Sequence, residues 1–166
     1  MAKYKLPGLR KWIDTISEET ARAGAAEIVR ELKEKGPYFS GHFEESWVVV
    51  GGDKSIPADS PNPLSQAEQW EAWERGDLPL NRRVTPVPIP EGHTQFTIAN
   101  RADYRNIALD LEPGRVAPGR NNTAPQDWYR TFVEGGAMAK ALERGTGIAS
   151  RNPKVRGFKS SRTIRR

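Results

Sequence analysis

From Leu9 to Lys35 the apolar residues recur at helical intervals: first Leu9, Trp12, Ile13 and Ile16, then Ala25, Ile28, Val29 and Leu32. The spacing predicts a helix over 9–35. The two stripes are out of phase. The step from Ile16 to Ala25, at about 100° per residue, carries the second stripe to the opposite side of the cylinder. Two arrangements satisfy this: a break near Gly24, or one helix apolar on different faces at its two ends. In the second, one half packs on its own domain and the other on something else.

Phe43, Glu45, Trp47 and Val49 alternate within "FEESWVVV", which predicts a strand over 43–50, with Ser40 and Gly41 as its turn-like lead-in. The texture then changes. Residues 51–92 hold Pro57, Pro61, Pro63, Pro79, Pro86, Pro88 and Pro90, more than half of the chain's 13 prolines, a density that central strands do not tolerate. Inside this excursion "SQAEQWEAWERG" predicts a two-turn helix. Ser65 and Glu68 form a capping box, Trp70 and Trp73 share a face, and Gly76 suits the end. "VTPVPIP" reads as an extended or edge segment stiffened by proline.

Phe96 and Ile98 predict a half-buried strand ending at Asn100, an N-cap that hands over to a helix with Asp103 in its first turn. Tyr104, Ile107, Ala108 and Leu111 form the apolar face of that helix, and Glu112, Pro113 and Gly114 stop it. A last helix follows. Thr123 and Gln126 are its capping box, Trp128, Phe132 and Leu142 its apolar face, and Gly145 its end. Gly135 and Gly136 weaken its middle or permit close approach of another backbone. These elements predict one domain of helices and strands over 1–150, with residues 52–92 as an extended loop insertion.

Charge changes this picture at one place. The whole chain carries +5, but residues 151–166 hold Arg151, Lys154, Arg156, Lys159, Arg162, Arg165 and Arg166 with no acid, so the preceding 150 residues sum to −2. A basic C-terminal arm is attached to an almost neutral domain. It is either a solvated end or an arm that orders on an acidic surface or on nucleic acid.

Candidate chemistry is sparse. The chain has no cysteine and two histidines, His42 and His93. Neither histidine has further ligands at metal spacing, so both are expected on the surface. "GGDKS" lacks the spacing of a phosphate loop, and Glu68, Glu71 and Glu74 read as a solvated helix face. No catalytic residue, metal or cofactor is expected, and no helix-turn-helix, zinc finger or aromatic ribonucleoprotein motif can be placed. The longest purely aliphatic run, Val48 to Val50, is far short of a membrane span, and "MAKYKLPGLRKW" lacks the apolar core of a signal peptide. A cytoplasmic protein, or one built into an assembly there, is expected.

Two motifs carry a resemblance to a known family. Ser40, Gly41, Phe43 and Ser46 stand in a Thr/Ser-Gly-x-hydrophobic-x-x-Ser pattern after a long first helix. Ile98, Asn100 and Tyr104 match a strand ending in Asn with a Tyr four residues on, and Leu111, Glu112 and Gly114 resemble the hydrophobic-Glu-x-Gly ending that follows. Over residues 9–145 the chain resembles the small neck proteins of tailed bacteriophages: head-tail joining, tail-completion or tail-terminator proteins. It departs from them at Asp103 and Arg105, where Pro and Ala are common.

The resemblance implies an α+β fold, an antiparallel sheet flanked by the first and last helices. It also implies a structural virion protein, made in the host cytoplasm, that forms a ring in the neck and joins the completed tail to the DNA-filled head. A hexamer is favoured over a dodecamer. Its partners would be neighbouring connector and tail-tube proteins, with non-specific contact to DNA in the channel and none to membrane. Trp12, Ile28, Leu32, Trp70 and Trp73 would then serve as subunit or partner contacts. The alternatives are a head-side adaptor or stopper ring, and a nucleic-acid-binding protein acting through its basic arm.

Overall fold

The computed structural model describes residues 8–38, 40–78, 84–110 and 127–156. Its longest element, α1 (Leu9–Lys35), runs without a break through Gly24. Of the two arrangements the stripe pattern allowed, the continuous helix is the one found. After it come α2 (His42–Glu45), β1 (Trp47–Gly51), α3 (Gln66–Glu74), β2 (Phe96–Asn100), α4 (Arg105–Asp110), α5 (Trp128–Glu134), α6 (Ala137–Arg151) and α7 (Pro153–Arg156). The chain is α+β, and among the described residues its sheet is the antiparallel pair of β1 and β2, registered from Trp47 opposite Asn100 to Gly51 opposite Phe96.

The core lies between the C-terminal half of α1, the sheet and α5. Ala25, Val29 and Leu32 meet Phe43, Trp47, Val49, Ala102, Ala108, Trp128 and Phe132 there. Trp128 is central. Its indole donates to the Ala108 carbonyl at 2.9 Å, lies over Gly36, and meets Phe43 edge to face at 6.2 Å.

The strand expected over 43–50 begins only at Trp47. Gly41 takes the left-handed conformation, with φ 82°, and turns the chain into a single helical turn. The Ser46 hydroxyl closes that turn by donating to the His42 carbonyl at 2.6 Å. Phe43 and Trp47 therefore face the core at helical spacing, their rings 5.8 Å apart, and only mimic alternation.

Helix α6 lies antiparallel against α1. The helix expected to stop at Gly145 is divided earlier, at Gly135 and Gly136, where Gly136 has φ 81°, and then continues to Arg151. Gly145 is interior because the two backbones approach there: a Cβ on it would lie 2.6 Å from Gly24 Cα and N and 2.8 Å from the Ala23 carbonyl carbon. Ala141 and Ala149, buried one turn to either side, permit the same approach. Leu142, expected on the apolar face, is 44 % exposed.

Gly145→Ala is therefore expected to destabilise by about 1–2 kcal/mol, overpacking against backbone outweighing the helix propensity gained. Gly24→Ala meets only the end of the Leu142 side chain, at 3.0 Å. It should be neutral, or stabilising by up to about 1 kcal/mol. Urea unfolding of the two variants separates these signs.

Ion pairs border the same seam. Arg144 reaches across to Glu27 at 3.1 Å and Glu31 at 2.5 Å. Hydrogen bonding from Arg30, opposed by burial and helped by Arg144, holds the Glu27 carboxyl below its ordinary value of 4.5. At Glu31, burial acts against ionisation, yet Lys35, Arg144 and Arg30 overcome it and leave that carboxyl lowered too. Depressed native values mean that this stability is present in full above the unfolded-state value near 4.5 and is lost as pH falls through the native ones. Stability should thus decline below about pH 5, and Arg144→Ala should flatten that decline in urea titrations.

Candidate assembly interface

The two sequence motifs meet at one point of the fold. Asn100, 5 % exposed at the end of β2, donates from Nδ2 to the Phe43 carbonyl at 2.7 Å. Its Oδ1 accepts from the Ala102 backbone at 2.9 Å. This is a turn bridge rather than the expected N-cap: α4 starts only at Arg105, and Asp103 lies exposed in the turn before it. The Arg101 backbone donates to the Ser46 carbonyl at 2.9 Å.

Tyr104 closes the cluster, its ring 5.9 Å from His42 and 6.3 Å from Phe43. Burial pushes its hydroxyl up to about 12, with the Asp103 charge adding to the shift. Ser40 and Gly41 form the turn that presents Phe43. Glu112 and Gly114, with Leu111, Thr123 and Gln126, lie outside the described residues. The motif is a polar clamp holding the start of β1 to the end of β2.

His42 belongs to this clamp and not to the surface. It is 8 % exposed, and its Nε2 lies 3.0 Å from the Ser60 carbonyl, to which it donates in the matching tautomer. That bond fixes the outgoing limb of the excursion, which the Ser60 backbone and the Arg101 side chain also tie to the end of β2. His93 is partly buried over Gly51, where a Cβ would collide with its ring. Among the described residues no group of three or more His, Asp or Glu side chains could hold a metal ion, and no helix is long and apolar enough to cross a membrane.

The returning limb packs along α1. Val87 and Ile89 rest on the core, and Lys33 donates to the Thr85 carbonyl at 2.7 Å while facing Glu44 at 3.8 Å. Further along, Glu91 meets Arg22 at 3.2 Å. Between the limbs stands α3 with the expected capping box: Glu68 N donates to Ser65 Oγ, and Ser65 N to the Glu68 carboxylate. Trp70 and Trp73 are 41 % and 37 % exposed, their rings 5.3 Å apart. Trp70 Nε1 donates to Glu74 at 2.8 Å.

The remaining expected contact residues divide. Leu32, 3 % exposed, is a core residue of its own domain, and Ile28, partly buried, packs against that core. At the other end of α1, Ile13 is 49 % exposed, and Trp12 donates to the Val155 carbonyl at 3.0 Å. That bond, with Glu19 accepting from Asn152 at 2.9 Å and Lys154 at 3.5 Å, secures α7 to α1.

Sequence reasoning missed this docking because a run of basic residues with few apolar ones gives no periodic signal. Of the arm, Arg151 ends α6 and Lys154 and Arg156 lie in α7. Lys159, Arg162, Arg165 and Arg166 lie outside the described residues. Ile148, 51 % exposed, borders a groove with Ala23, Ala26 and Ile89. Comparison of the chain with protein-family models, with curated proteins and with solved structures gives no match.

Proposed function

We propose that this chain is a structural protein of the tailed-bacteriophage neck, forming a ring that completes or terminates the tail and joins it to the DNA-filled head. The observation that carries the reading is the convergence of the motifs behind the resemblance. Two segments far apart in sequence, Phe43 to Ser46 and Asn100 to Tyr104, lock together: Asn100 donates to the Phe43 carbonyl, the Arg101 backbone donates to the Ser46 carbonyl, and the Tyr104 ring packs on Phe43. Residues that a family uses to define a strand pairing would sit together in this way. The side chains with acid-base potential in this cluster are engaged in holding backbone, as His42 is with Ser60.

The surface suits repeated protein contact. Exposed large apolar residues lie on separate elements, Ile13 on α1, Trp70 and Trp73 on α3, Leu142 and Ile148 on α6. A heterologous ring contact uses two different faces of each subunit, and these elements offer them. The hexamer remains the favoured ring, with a dodecameric head-side ring as the nearer alternative. The alternative of a different class is a nucleic-acid-binding protein acting through its basic arm; among the described residues of that arm, Lys154 faces Glu19 and Arg156 donates to the Ser150 carbonyl. Electron microscopy of the concentrated protein should show annular particles with sixfold or twelvefold symmetry and an open centre. Compact two-fold particles would contradict the reading.

A further inference from the structure

The first half of α1 stands clear of the core. The buried residues of this helix begin only at Gly24, and Ile13, three turns earlier, is 49 % exposed. Ile13 is flanked by Arg10, one turn before it, and by Asp14, with Ser17 one turn on, all of them exposed. Asp14 has no ion pair among the described residues. The overhanging helix thus offers a bulky apolar ridge with an unclaimed carboxylate beside it.

A groove of complementary chemistry lies further along the same helix. It has a volume of about 630 Å³, a floor of Ala23, Ala26, Ile89 and Ala149, and Ile148 at its edge. Ile148 is the most exposed of the large apolar residues described, at 51 %. Among the described residues two cations line the groove, Arg22 and Arg151. Arg22 is held by Glu19 at 2.8 Å and by Glu91 at 3.2 Å. Glu19, the acid of this rim, is itself occupied by Arg22, Asn152 and Lys154. Arg151, one turn from Ile148 on α6, has no ion pair among the described residues. The site therefore asks for an apolar side chain accompanied by a carboxylate.

We propose that this groove receives the Ile13 ridge of α1 from a second copy of the chain, with Asp14 of that copy pairing with Arg151. The same chain cannot supply the ridge. Ile13 and Ala23 belong to one unbroken helix and stand about 15 Å apart along its axis, beyond the reach of an isoleucine side chain. Two other exposed apolar residues fit less well. Leu142 already rests over Gly24, and the acid beside Val133, Glu134, is engaged by Arg130. Ridge and groove are different surfaces, so the contact is heterologous and passes from each copy to the next, as a ring requires. The inference rests on the ring reading and names one of the contacts of that ring.

Sedimentation velocity of the full chain over a range of concentrations tests the contact. Ile13→Asp should raise the concentration needed for half assembly about tenfold or more, because it carries a charge into an apolar groove. Asp14→Arg and Arg151→Glu should each raise it several-fold by setting like charges together. Combined in one chain, the two reversals should return assembly toward the wild-type value, since every contact then joins opposite charges again. All three positions are exposed, and the urea midpoints of the dilute, unassembled variants should stay near that of the wild type. A rescue seen in assembly and not in those midpoints belongs to the contact between copies.

Assembly untouched by Ile13→Asp, or a double reversal that fails to rescue, overturns this contact; if the wild type still closes into a ring, the ring reading stands without it. A wild-type chain that remains monomeric at every concentration overturns both.

Discussion

Trp128→Ala is expected to destabilise the domain by about 3–5 kcal/mol, the usual range for removing a large buried aromatic. The residue is 4 % exposed, and its loss does three things together. It opens a void over Gly36 at the end of α1, removes the edge-to-face contact with Phe43, and strips the Ala108 carbonyl of its indole donor. Trp128→Phe keeps most of the volume and loses the hydrogen bond, so it should cost less, about 1–3 kcal/mol. Urea unfolding followed by circular dichroism measures both, and a shift in midpoint at constant slope identifies lost stability rather than an altered unfolded state. An alanine variant as stable as the wild type would mean that α5 does not close the core.

Asn100→Ala should come close behind, at about 2–4 kcal/mol, because it leaves two buried backbone groups without partners. They are the Phe43 carbonyl and the Ala102 N–H. Asn100→Asp is not a rescue. It keeps the acceptor for Ala102 but puts an anion opposite the Phe43 carbonyl, and its stability should fall further as pH rises through the carboxyl range. A cost below about 0.5 kcal/mol for Asn100→Ala, within the range of ordinary surface changes, would refute the clamp. The test also bears on assembly, because the clamp holds the limb that carries α3.

Much of this domain was legible in the sequence wherever local chemistry and tertiary environment agree. The capping box at Ser65 and Glu68, the strand from Phe96 to Asn100 and the long first helix all formed as their patterns predicted. The failures have physical causes. Phe43 and Trp47 satisfy a period of two and a spacing of i, i+4 equally well, and the left-handed turn at Gly41 decides for the helix. Gly145 has the chemistry of a helix terminus, but here the missing side chain admits another backbone.

The candidate interface was legible in part. Trp70 and Trp73 are exposed, whereas Leu32 is absorbed by its own core. Periodicity states that a stripe is apolar and not what covers it. Trp12 illustrates the same limit from the other side, since its partner, Val155, lies at the far end of the chain.

A closed ring has a fixed copy number. Native mass spectrometry of the full-length chain over about a hundredfold range of concentration follows the mass action that drives closure. The ring should appear as one closed species at six times the 18.6 kDa subunit, gaining population with concentration and followed by no larger ladder. A monomer or a dimer as the largest species across the whole range would contradict it.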